Sequence, residues 1–135
     1  MIRRVYDLLG ALGVTANYSG FFYAAYAVLL SLEDQGRLLL VTKRLYPEVA
    51  EHYETTASCV ERNIRTVASL AWVRNAAMLQ QIARDRLWEK PTASEFIAIL
   101  TAYFLRQSAP ETLLQDLPSP VSALPAFAGV LRAAR

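Results

Sequence analysis

The chain has 135 residues, enough for one domain that buries a core without disulfides or metal staples. Hydrophobic residues make up 54% and glycines number only 5, a composition that suits a compact helical protein. One cysteine, Cys59, excludes an internal disulfide and any zinc site built from cysteines, and the net charge of +2 excludes a generally basic nucleic-acid binder, so any DNA affinity has to come from a local patch.

In chain order, Ile2, Val5, Leu8, Leu9 and Leu12 repeat at helical spacing, and Gly13 follows as a natural helix stop. Arg3 and Arg4 precede no apolar run with a cleavage site, so no signal peptide is read. Val14 to Tyr18 is a connector. A second helix opens at Ser19 or Gly20 and reaches about Glu33. It is apolar nearly all round, through Phe21, Phe22, Ala25, Tyr26, Val28, Leu29 and Leu32, which predicts a position in the middle of the domain. Its longest apolar run, Phe21 to Leu30, is too short for a bilayer, which needs roughly 20 residues. No membrane contact is expected, and the lone cysteine fits a cytoplasmic protein.

Asp34-Gln35-Gly36 reads as a turn and Leu38 to Leu45 as a short third helix. Pro47 pushes the residue before it away from helical geometry, which predicts an angle there. Two helices joined by a tight polar turn follow, a helix-turn-helix. Pro47 sits at the start of the first, whose apolar edge is Val49, Ala50 and Tyr53. Glu54-Thr55-Thr56 breaks it, and Thr56 has the side chain to cap the next helix. In that helix, about 57–74, Val60, Ile64, Val67 and Ala71 fall on one side. Ser58, Glu61, Arg62, Arg65 and Ser69 fall on the other. A polar stripe with two arginines near the helix start is where a recognition helix meets base edges. The same spacing also describes a plain solvated face. Lys43, Arg44, Arg62, Arg65 and Arg74 stand against Glu48, Glu51, Glu54 and Glu61 across the motif.

Asn75 to Leu87 reads as a further helix with Met78, Leu79, Ile82 and Ala83 inward, and Trp88 to Pro91 as a loop. Thr92-Ala93-Ser94-Glu95 is a capping box opening a last helix, with Phe96, Ile97, Leu100, Phe104 and Leu105 inward, that ends near Gln107. From Ser108 the composition shifts, and Pro110, Pro118, Pro120 and Pro125 punctuate short apolar pieces. Short helices are expected from Ser108 to Gln115 and from Ala126 to Arg132. The division is a domain at 1–107 and a tail at 108–135.

Catalytic constellations are missing. His52 is the only histidine and reads as an exposed surface residue, no Gly-rich phosphate loop is present, and no metal-ligand spacing is found. An enzyme is not expected, and no cofactor or metal.

The run LYPEVAEHYETTASCVERNIRTVASLAW resembles the DNA-binding effector domain of the sporulation master response regulator family. GVTANYSGFFYAAYAVLLSLED is similar to that domain's first connector and second helix, and KPTASEFIAIL to the start of its last helix. The resemblance spans roughly Leu8 to Leu105. It implies an all-α domain of about six helices that binds short boxes of double-stranded DNA, as a homodimer or in tandem. It also implies the family's recognition pattern S-R-V-E-R-A-I-R, matched here by Ser58, Cys59, Val60, Glu61, Arg62, Asn63, Ile64 and Arg65. The candidate DNA-binding set is then Thr56, Ser58, Cys59, Glu61, Arg62 and Arg65. Arg62 has the geometry for guanine and Glu61 for cytosine N4, and Arg65 reaches a base or a phosphate. Cys59 departs from the pattern, standing where the family has an arginine, and Asn63 replaces a small residue. The segment VRNAAMLQQIARDRL after Trp72, which in the family helps meet the RNA polymerase sigma factor, has diverged. Read from Met1, the sequence begins directly in the effector domain, which predicts control through abundance, oligomerisation or a partner rather than a phosphoreceiver. The expected function is a stand-alone, sequence-specific transcriptional regulator. The alternative is a helical protein-interaction module that kept the fold and lost DNA reading.

Overall fold

Helix α2 (Ser19–Glu33) is the element against which the others assemble. It packs on α1 (Ile2–Ala11), α3 (Tyr46–His52), α4 (Ala57–Ala83) and α5 (Ala93–Ser108). The structure, a computed structural model, describes residues 1–108, and the tail helices expected beyond Ser108 lie outside the described residues. Among the described residues the fold is all-α, with five α-helices rather than about six. No helix among them is long and apolar enough to cross a membrane.

The core follows from the apolar faces. Val5, Leu9 and Leu12 from the first helix and its cap, Ala24 and Val28 from α2, and Phe96, Ile97 and Leu100 from α5 are all fully buried. Where α2 meets α4 the backbones come unusually close. A Cβ built on Gly20 would lie 2.8 Å from the Asn63 carbonyl carbon and 2.8 Å from Val67 Cγ1, with the Asn63 carbonyl oxygen nearer still. Only glycine fits there. Gly13, with φ of 94°, ends the first helix in the left-handed region that favours glycine, as its position in the sequence predicts.

Two expected boundaries are corrected. Leu38–Leu45 is not one α-helix. Gln35–Leu39 is a 3-10 turn capped by Asp34, whose carboxylate accepts from the Gly36 N–H at 2.9 Å, and Val41–Leu45 is a π turn running directly into α3. Arg37 explains the detour. Its guanidinium is drawn inward, donating to the Leu30 carbonyl at 2.6 Å and to both carboxylate oxygens of Glu48 at 2.9 and 3.0 Å. That pins the connection to the end of α2 and to α3. Tyr46 is helical, with φ of −63° and ψ of −40°, although it precedes Pro47. The wider π turn makes room where the proline ring would meet the carbonyl one turn back.

The helix expected at Asn75–Leu87 starts where expected but ends at Ala83; it forms the second half of α4, separated from the first by the non-helical Asn75, with φ of −154° and ψ of 59°. The bend is held from both sides. Asn75 Nδ2 donates to the Ala11 carbonyl at 2.9 Å, and its Oδ1 accepts from the Met78 N–H at 3.3 Å, capping the second half as an N-cap would. Arg106 donates to the Ile82 carbonyl at 2.6 Å and ties α5 to the far end of α4. The capping box at the start of α5 forms as expected: Glu95 N–H donates to Thr92 Oγ1 at 3.2 Å and Thr92 N–H to Glu95 Oε1 at 2.8 Å.

Candidate nucleic-acid interface

The helix-turn-helix is built from α3 and the straight part of α4, 57–74. Tyr53 N–H still bonds back to Val49, Thr55 N–H reaches the Ala50 carbonyl at 2.9 Å, and between them Glu54 turns the chain with φ of 54°. Thr56 then takes an extended conformation and its Oγ1 accepts from the Cys59 N–H at 3.1 Å. This satisfies one of the orphan donors of the α4 start and fixes where the helix begins.

The two faces of this helix separate as the periodicity requires. Val60, Ile64, Val67 and Ala71 are fully buried against the domain. Ser58, Arg62 and Arg65 are exposed, and Glu61 is half-buried. Glu61 and Arg65 face each other one turn apart, with 3.4 Å between Oε1 and Nη1. The negative charge of Glu61 also adds to burial in pushing up the Tyr46 phenol. Among the described residues the Arg62 guanidinium has no acidic partner.

The other basic groups of the motif sort differently. Arg44 pairs with Asp34 at 3.1 Å and lies 3.8 Å from Glu48. Arg74 donates to the Gly13 carbonyl at 2.7 Å and anchors the connector after α1. Both serve the fold, leaving Arg62 and Arg65 as the guanidinium groups on the open face of 57–74. Glu48 is likewise committed to Arg37, whose hydrogen bonds hold its carboxyl below the usual carboxylate range.

The two departures from the resemblance meet each other. Asn63 Nδ2 donates to the Cys59 carbonyl at 2.8 Å and lies 3.3 Å from Cys59 Sγ. Asn63 therefore folds back along its own helix, and the half-buried thiol is covered on that side. His52 is exposed as expected, yet it is not free of the fold. Its ring stacks on Tyr26 at 4.1 Å and meets Tyr53 edge-on.

A family model described as Sporulation initiation factor Spo0A C terminal matches residues 5–104. The chain belongs to this family. The match runs from Val5 in α1 to Phe104 in α5 and so takes in every helix described above. The Spo0A C-terminal domain is a DNA-binding domain of a sporulation regulator, and transcription regulation is the setting in which its helix-turn-helix acts. The resemblance read from the sequence is thereby upheld, and the all-α fold with it.

Sequence reasoning missed one group near this face. Lys90, in the loop between α4 and α5, places its Nζ 3.2 Å from Ser69 Oγ, on the polar side of α4. The separation of 21 residues leaves no periodic signal for such a pairing.

Proposed function

We propose that this domain reads specific double-stranded DNA by laying residues 57–74 in the major groove. The reading rests on one observation above the rest. Arg62 is exposed, without an acidic partner among the described residues, on a helix whose opposite face is fully buried in the domain. A guanidinium so placed donates two bonds to guanine O6 and N7, and Glu61 accepts from cytosine N4. Arg65 exchanges its link to Glu61 for a base or phosphate. Thr56 and Ser58, at the helix start, donate hydroxyls to the backbone. Cys59 supplies no bidentate bond, so this position stops discriminating by the about 1–3 kcal/mol that a good pair contributes, and the preferred box differs from the family's there.

The protein acts in the cytoplasm as a transcriptional regulator, with two copies in tandem on adjacent boxes. The segment after Trp72, which opens on Val73 at 80% exposed and continues into the second half of α4, is the surface offered to a polymerase sigma factor.

Titration on duplexes carrying family-like boxes and on scrambled duplexes tests the reading. Preference for the box is expected, with a log–log salt slope of about −0.9 per phosphate contacted. An Arg62→Ala and Arg65→Ala double variant is expected to lose the preference. Affinity indifferent to sequence, or unchanged in the double variant, overturns it in favour of an interaction module.

A further inference from the structure

We propose that Lys90 is a phosphate contact of the DNA-reading face, delivered from the α4–α5 loop onto the end of the recognition segment. The inference rests on the major-groove reading above. Ser69 lies four residues after Arg65 and seven after Arg62, so all three share one side of α4. Ser69 Oγ donates to the Arg65 carbonyl at 3.1 Å, which leaves its lone pairs for the Lys90 ammonium 3.2 Å away. Lys90 thus adds a positive charge to the stripe from another element.

Distance selects what that charge meets. Seven residues of helix rise about 10.5 Å. The major groove is about 12 Å wide. With Arg62 at base edges, a cation this far along the axis stands at the groove wall, where the phosphates run. A lysine suits a phosphate as a compact point charge and offers no planar fork for a base.

The position is also prepared. Pro91, next in the chain, is buried and has a fixed φ, and Thr92 is locked into the capping box of α5. The backbone that carries Lys90 is therefore set by the fold, and the bond to Ser69 holds the side chain over α4. Ordering the lysine before DNA arrives lowers the entropy lost on binding.

The test uses the full chain and its Lys90→Gln and Lys90→Arg variants on a family-like box and on a scrambled duplex, over a series of salt concentrations. Lys90→Gln is expected to weaken both duplexes by the same factor and to make the salt slope shallower by about 0.9, one phosphate's worth. Lys90→Arg is expected to restore the slope. The melting temperature should not move, because Lys90 is exposed. A wild type that prefers its box while Lys90→Gln keeps the full slope overturns this inference and leaves the groove reading standing. A Lys90→Gln variant that loses preference for the box also overturns it, since the lysine then reads a base. A wild type indifferent to sequence overturns the groove reading instead, and a shallower slope in Lys90→Gln still identifies the contact.

Discussion

The close approach of α2 and α4 at Gly20 makes a sharp prediction, because the same substitution elsewhere in the chain has the opposite sign. In Gly20→Ala the new methyl would sit 2.8 Å from the Asn63 carbonyl carbon and from Val67 Cγ1. Ordinary carbon contacts lie at about 3.5–4.0 Å, so the overlap is roughly 0.7–1.2 Å. The obstacle is helix backbone and a β-branched side chain, neither of which yields, so the two helices have to part. Overpacking of this kind costs about 1–3 kcal/mol. The gain in helix propensity, up to about 1 kcal/mol in a helix interior, is smaller here because Gly20 lies in the first turn of α2. Gly10, near the end of α1, is exposed and has nothing within 4 Å of its built Cβ. Gly10→Ala should therefore stabilise by about 0.4–1 kcal/mol through the unfolded chain. At about 4–8 °C per kcal/mol for a domain of this size, thermal melts should fall by roughly 5–20 °C for Gly20→Ala and rise by a few degrees for Gly10→Ala. A Gly20→Ala protein that melts at or above the wild type would refute the claim that α2 and α4 meet backbone to backbone.

Three further outcomes are expected. Thr56→Ala removes the cap of α4 and should destabilise by about 0.5–2 kcal/mol in denaturant titrations, whereas Thr56→Ser should recover most of it; equal stability of the two would show that the cap contributes nothing. The Glu48 carboxyl is held below its ordinary value of 4.5 by Arg37, so the stability it contributes is present above that value and is lost as pH falls through the lower folded one. The acid limb of a melting-temperature profile should then be shallower in Glu48→Gln, and an identical limb would remove Glu48 from the acid response. Arg62→Ala alone should reduce discrimination at one base pair by about 1–3 kcal/mol, read by competition between single-substitution duplexes; an undiminished preference at every position would mean that Arg62 reads no base.

Local chemistry is what the amino-acid sequence determined. Apolar spacing marked the buried faces of α4 and α5, an apolar surface nearly all round put α2 in the middle, and Thr56 and the Thr92–Glu95 box announced helix starts, because caps bond within three residues of themselves. The exposed arginine stripe, Arg62 and Arg65, was legible for the same reason: a helix face is a matter of period. What only tertiary structure decided involved partners far apart in the chain. Arg37, bound to Leu30 and Glu48, converted an expected α-helix into a 3-10 turn and a π turn. Asn75, bonded to Ala11 across 64 residues, fixed how the two halves of α4 sit on the first helix. Arg74 and Arg44 were withdrawn from the basic inventory by Gly13 and Asp34, and Lys90 was brought onto the polar side of α4 by Ser69. A charged side chain carries no mark of its partner in its own neighbourhood. Whether it holds the domain together or faces outward is settled only when the helices have packed.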